Sequence, residues 1–233
     1  MKIGIISDIH GNAEALTAVL NKAKEIQIDC FLCSGDFVGY YYEPQIVLDL
    51  LSNWKLESVR GNHEDMLFEC IDEPTKFNSY KEKYGSGLSR AVTLLSKKQL
   101  DYLRYLPRFI ELEIDSKKIM LCHGSPWDTN QYIYPDADEA ILKKCKEFSF
   151  DYIILGHTHR QMQIKNGKSI IINPGSVGQP RGTYRGVSHW AMLDTEKDLF
   201  MHLTEKYDVS RVISQVKERD PHNDYLQKIL MAN

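Results

Sequence analysis

The chain has 233 residues, 42% of them hydrophobic and 26% charged, enough apolar content to bury a full core without staples. Lysine and arginine total 29 against 32 aspartate and glutamate, a net charge of −3, which disfavours a long-nucleic-acid binder working through a basic surface. No run approaches about 18 apolar residues, Ser7 and Asp8 interrupt the first strand too early for a secretory leader, and five scattered cysteines suit a reduced, cytoplasmic protein rather than a disulfide scaffold or a membrane protein.

Lys2–Ser7 reads as a buried strand and Ala13–Ile26 as a helix with Leu16, Val19, Leu20 and Ala23 on one face. Asp29–Cys33 is predicted as a second strand, in which Cys30 and Cys33 face opposite sides and read as core thiols, not a redox pair. Pro44 opens a helix carrying Ile46, Val47, Leu50 and Leu51, and Leu56–Val59 is a third strand. That alternation is the βαβ pattern of a largely parallel sheet sandwiched by helices.

The middle is predicted helical, with Leu88, Val92 and Leu95 on one face and a capping box at Ser96–Gln99 for a helix ending before Pro107. Strands follow at Phe109–Ile114, Lys118–Cys122 and Tyr152–Leu155. Asn166–Gly167 between Gln161–Lys165 and Ser169–Ile172 is a two-residue hairpin signal, and Trp190–Leu193 with Leu199–Leu203 forms another hairpin. With no interior linker or repeat, residues 1–205 read as one domain. Residues 206–233 read as a helical tail packed on it, since Val209, Val212, Ile213 and Val216 lie at helical spacing and Asp224 caps a last short helix.

Five of the eight histidines fall in short polar segments, each following an apolar strand: Asp8-Ile9-His10, Gly61-Asn62-His63-Glu64, His123-Gly124 and Gly156-His157-Thr158-His159. A fifth segment, Gly35-Asp36, also follows a strand and supplies a carboxylate. In an open α/β sheet the carboxyl ends of the strands form the ligand-binding crevice, so these loops deliver their side chains to one rim. Imidazole with carboxylate and no thiolate favours borderline first-row divalent ions. Seven donors exceed what one ion needs if it is to keep a water, and fit two ions about 3.5–4 Å apart sharing a carboxylate.

Asp-x-His, Gly-Asp, Gly-Asn-His-Glu, His-Gly and Gly-His-Thr-His, in that order, resemble the calcineurin-like metallophosphoesterase superfamily. The run Asn173–Arg181 resembles its small prokaryotic phosphodiesterase-type branch. The resemblance implies an α/β fold, a four-layer αββα sandwich of two mixed sheets, with a dinuclear centre between them. It implies that Asp8, His10, Asp36 and His159 hold one ion, and that Asp36 bridges to a second held also by Asn62, His123 and His157. His63 matches the family's general acid, and the expected ions are two of Mn, Fe, Zn or Ni. The expected reaction is hydrolysis of a small phosphodiester by in-line attack of a metal-bridging hydroxide. A phosphomonoesterase or protein serine/threonine phosphatase, a dinucleoside polyphosphate hydrolase and a non-enzymatic scaffold on the same fold stand as alternatives.

The chain departs from phosphoprotein phosphatases after Gly35-Asp36, where Phe37-Val38-Gly39-Tyr40 replaces Val-Asp-Arg-Gly, leaving His63 without an assigned acidic partner. Arg181 and Arg185 are the expected substrate-phosphate donors, and Tyr40, Tyr41 and Tyr42 are expected to pack in the core or stack on an aromatic leaving group. The Lys- and Glu-rich stretch 71–87 is expected to cover the metal cleft. The sequence leaves the oligomeric state open, a homo-oligomer included.

Overall fold

The computed structural model describes residues 1–182 and 185–231. Two five-stranded mixed sheets carry the molecule. The first has β1 (Lys2–Ile6), β2 (Cys30–Cys33) and β3 (Leu56–Ser58) in parallel, and β9 (Val187–Asp194) and β10 (Leu199–Lys206) antiparallel beyond β1. The second sets β5 (Lys117–Cys122), β6 (Tyr152–Ile154) and β8 (Ser169–Pro174) in parallel, edged by antiparallel β4 (Phe109–Ile114) and β7 (Gln161–Asn166).

Side-chain alternation builds the layers. Ile3, Ile5, Cys30 and Leu32 of the first sheet meet Ile119, Leu121, Ile154 and Ile172 of the second in one buried cluster between the sheets. The opposite parity, Phe31, Cys33 and Trp190, packs under α1 (Ala13–Glu25) and α2 (Pro44–Leu51). Met120, Cys122, Ile153 and Ile171 pack under α7 (Glu139–Lys146). The result is the helix–sheet–sheet–helix order expected, and a one-residue slip in any central strand would exchange its two faces. Cys30 and Cys33 do lie on opposite faces, and all five cysteines are buried and free.

Strand positions agree with the sequence reading to within a few residues, and the Asn166–Gly167 turn joins β7 to β8. The helical middle resolves into α3 (Asn62–Asp72), α4 (Lys76–Tyr84), α5 (Gly87–Leu94) and α6 (Lys97–Arg104). Ser96 and Gln99 cap α6 reciprocally. The tail forms α8 (Ser210–Arg219) and α9 (Asp224–Met231). Val209, Val212, Val216, Leu226 and Leu230 bury against Tyr40, Tyr41 and Tyr42, and Asn223 rather than Asp224 caps α9 by accepting from the Leu226 N–H. The three tyrosines are thus packed side chains, with only Tyr40 reaching the cleft described next. Among the described residues, no helix is long and apolar enough to cross a membrane.

Candidate metal centre

The loops after β1, β2, β3, β5 and β6 converge at one buried cluster. Asp8, His10, Asp36, Asn62, His63, His123, His157 and His159 are all buried. Asp8, His10 and His159 offer atoms within 4.8 Å of one another; so do Asp8, Asp36 and His123, and so do His10, Asp36 and His63. Asp36 belongs to two of these sets, and its Oδ2 lies 3.7 Å from His10 Nε2 and 3.4 Å from His123 Nε2.

Backbone geometry explains why these loops turn inward. Asp8, His10, Asp36, His157 and His159 all have φ between 53° and 66°, the left-handed region that asparagine, aspartate and histidine tolerate better than branched residues. Peptide hydrogen bonds hold the turns: Ile9 and His10 N–H donate to the Asp36 carbonyl at 2.8 and 2.9 Å. Glu64, one residue after His63, completes the frame. Its Oε1 accepts from Phe37 and Val38 N–H (2.8 and 3.2 Å) and its Oε2 from Asp36 and Gly61 N–H (both 2.9 Å). Burial and the neighbouring Asp36 carboxylate push the Glu64 carboxyl up to about 7, while these N–H donors pull it down.

The donor chemistry fits divalent ions. His10 Nδ1 donates to the Val38 carbonyl (2.9 Å), His159 Nδ1 to Gln179 (2.8 Å) and His123 Nδ1 to Ser34 (2.6 Å). A backbone acceptor on Nδ1 leaves Nε2 free to ligate when the ring is neutral, the usual second shell of a metal-bound imidazole. The Nε2 atoms of His10 and His159 then face each other at 3.0 Å, and His123 Nε2 faces Asn62 Oδ1 at 2.9 Å. Two nitrogen lone pairs at the His10–His159 distance repel unless a cation stands between them, whereas a protonated His123 donates to Asn62 Oδ1. Asp8 Oδ1 and His157 Nε2 are buried with no hydrogen-bond partner.

Charge points the same way. Burial opposes ionising Asp8, but His159 beside it holds its carboxyl at about 2; Asp36 is likewise held well below the usual range by His123 and His63 against its burial. Burial holds His10 well below an ordinary imidazole and His157 at about 4, so both rings are neutral at pH 7. His123 is also desolvated, yet Asp36 and Asp8 raise it to about 10. Buried carboxylates among mainly neutral rings require a positive partner.

His63 sits at the cleft wall, its ring 5.0 Å from those of Tyr40 and Tyr84 and its backbone N–H on Asp36 Oδ1 at 2.8 Å. Its Nδ1 is buried without a partner, so among the described residues no side chain bonds that nitrogen in place of the acidic partner absent from the sequence. Gly39, at φ 93°, lies against that nitrogen, where a Cβ would collide with the ring. Burial lowers the His63 pKa, partly countered by Asp36.

The cleft over the cluster encloses about 320 Å³ and is lined also by Tyr132, Tyr134, Arg160 and Arg181. Arg181 lies over the Tyr225 ring at 5.4 Å. Arg185 is absent from the lining of this cleft and lines a separate cavity with Tyr41, Tyr207 and Leu230, which Arg181 also borders. Arg60 is engaged with Asp65 at 2.6 Å. Stretch 71–87 contributes Tyr84 to the wall. Sequence reasoning missed Glu64's role, Arg160, and Tyr132 and Tyr134. Only Glu64, three residues after an N-capping glycine, carried a signal: the acidic half of a capping box.

Comparison with known proteins agrees with this geometry. The sequence profile of the calcineurin-like phosphoesterase superfamily domain matches residues 1–198. An uncharacterized protein of Methanocaldococcus jannaschii is 31% identical over 94% of this chain and 93% of its own. A phosphodiesterase of the same organism is 23% identical over 84% of this chain and 95% of its own. The crystal structure of a metallophosphoesterase from Sphaerobacter thermophilus, 25% identical, superposes over 99% of this chain and 98% of its own with a TM-score of 0.80. The chain belongs to the calcineurin-like phosphoesterase superfamily and is a metallophosphoesterase, a hydrolase of phosphate esters.

Proposed function

We propose that this chain is a dinuclear phosphodiesterase that cleaves small phosphate diesters by in-line displacement at phosphorus. Asp8, His10, Asp36 and His159 would hold one divalent ion, and Asp36, Asn62, His123 and His157 would hold the second, with Mn, Fe, Zn or Ni suiting the donor set. When bound, the ions supply Lewis acidity, lowering the pKa of the attacking water and neutralising charge at phosphorus. The observation that carries this reading is the pair of facing His10 and His159 Nε2 atoms at 3.0 Å, with Asp36 Oδ2 within reach of both His10 and His123.

His63 delivers the proton to the leaving oxygen. An arriving phosphate anion favours its imidazolium against the lowering effect of burial, and the 2.8 Å bond from its N–H to Asp36 keeps acid and bridging ligand in register. Arg181 donates to the non-bridging phosphate oxygens, which alone would be poorly neutralised in a closed cleft. Preference for diesters is supported by the relative named a phosphodiesterase and by the Phe37–Tyr40 sequence, which carries no phosphatase-type arginine.

The test is metal-stripped protein reloaded separately with Mn, Ni, Fe(II) and Zn, assayed on p-nitrophenyl phosphate and bis-p-nitrophenyl phosphate. Metal-dependent turnover favouring the diester, abolished in Asp36→Asn, is expected, with about two ions per chain by elemental analysis. His63→Ala should retain both ions and lose about 10²–10⁴-fold in turnover. Silence on both esters with two ions bound would favour the scaffold alternative and overturn the proposal.

A further inference from the structure

The loop between β5 and α7 contributes two tyrosines to the cleft mouth whose rings are only partly covered. Tyr132 is 50% exposed and Tyr134 40% exposed, and their planes lie 6° from parallel with centroids 5.8 Å apart. Tyr132 also stacks on the His157 imidazole at 4.0 Å, which anchors this two-ring shelf to the metal centre. Large aromatic faces left in solvent beside a cleft are unspent stacking surface.

Elsewhere on the wall the rings of His63, Tyr40 and Tyr84 pack against one another, with centroids 5.0–5.6 Å apart. In-line attack keeps the attacking and leaving oxygens on one axis and sets the retained ester group to the side of it, so with the leaving group at the proposed proton donor the exposed rings beside His157 are the stacking surface left for the retained group. Among the described residues no aliphatic side chain lines this cleft, which is otherwise built of carboxylate, amide, imidazole, hydroxyl and guanidinium groups. An alkyl substituent would find no apolar wall of its own kind, whereas a planar ring can lie on the parallel tyrosine faces. The volume of about 320 Å³ accommodates a phosphate with one ring system rather than a polymer.

We propose that Tyr132 and Tyr134 form a specificity shelf that selects substrates whose retained ester group is planar and aromatic, the chemistry of a nucleoside or an aryl ester. This inference rests on the phosphodiesterase reading above and deepens it by naming the substrate class.

The experiment uses two p-nitrophenyl phosphodiesters whose retained group is phenyl or methyl, with the Mn-loaded full chain. Both release the same chromophore, so the ratio of their kcat/KM values reads the retained group. Changing Tyr134 to Ala should lower the phenyl-to-methyl ratio about tenfold, the scale of one stacked ring, and Tyr134→Phe should restore it. An unchanged ratio in the alanine variant overturns the shelf. General damage lowers both esters together and leaves the ratio unmoved, so it counts against the proposal as well. Calorimetric titration with phenyl phosphate and methyl phosphate decides the matter without turnover. About tenfold tighter phenyl phosphate binding, lost in Tyr134→Ala, supports the shelf, and equal binding of the two refutes it. If neither diester is hydrolysed while that binding preference holds, the phosphodiesterase reading falls and the shelf stands.

Discussion

Replacing Glu64 by Gln tests whether the metal-bearing loops are held by a single carboxylate. Its two oxygens accept four backbone N–H groups, two each, from Asp36, Phe37, Val38 and Gly61. Glutamine keeps the shape but replaces one oxygen by an amide NH2, which faces two N–H donors with no lone pair to offer. Two buried donors left unsatisfied cost about 1–3 kcal/mol each. Glutamine also removes a buried charge that Asp36 and desolvation already disfavour, so the net loss falls near the lower end, about 2–4 kcal/mol. For a chain of this size that is a fall in Tm of roughly 4–16 °C. Urea and thermal unfolding of metal-stripped parent and variant measure it, with elemental analysis of the reloaded proteins beside them. Because the same bonds set the backbone of Asp36, the variant should also bind metal less tightly. A variant within about 0.5 kcal/mol of the parent, with unaltered metal content, would refute the assignment of Glu64 as the keystone of these loops.

Asp220 ties the tail helices to the domain by accepting from Tyr42 Oη (2.7 Å), Ser86 N (2.9 Å) and Ser86 Oγ (2.8 Å). Asp220→Ala should cost about 2–4 kcal/mol in urea unfolding and expose residues 205–210 to limited proteolysis. Chelation of bound metal should lower the Tm, by the equivalent of about 4 kcal/mol where free metal stands at 1,000 times its Kd, and re-addition should restore it. His189 is held at about 4 by burial, so its folded pKa lies below the unfolded value of about 6.5. Its contribution to stability is full above pH 6.5 and is lost as pH falls toward 4. His189→Gln should therefore flatten the decline in urea midpoint between pH 6.5 and 4, and an identical decline in both proteins would contradict this.

The fold and the ligand-bearing segments were legible in the sequence for one physical reason: both are written locally. Period-two alternation marks strands such as Phe109–Ile114, Asn166–Gly167 marks its own turn, and Asp, His and Gly gather directly after strands because only there does the chain leave the sheet. What was illegible depends on partners far along the chain. Arg160 and Arg185 look equally suited to phosphate, yet the first lines the cleft and the second lines the neighbouring cavity that Arg181 shares. Tyr132 and Tyr134 lie in a loop without periodicity, so nothing near them announces that His157, 25 residues from Tyr132, becomes the stacking partner of Tyr132. Glu64 was hidden by its neighbour, since a capping box is recognised by a Ser or Thr at the cap and here the cap is Gly61.

The residue types of the centre carry a second meaning that spacing alone does not reveal. Five of the seven proposed ligands sit at positive φ, a conformation costing a residue with a Cβ about 1–2 kcal/mol. The same Asp and His side chains that coordinate a metal are those that tolerate this backbone, so ligand chemistry and loop geometry select the same letters. Strain at that many positions persists only where the surroundings over-determine it. Here they do so without recourse to an ion: Glu64 holds the loop of Asp36, Asp36 holds those of His10 and His63, and Asp8 Oδ2 accepts the His157 N–H at 3.1 Å. The loops are therefore set by the chain itself, and what a bound cation would relieve is the repulsion between the facing His10 and His159 nitrogens, not the disorder of a site yet to form.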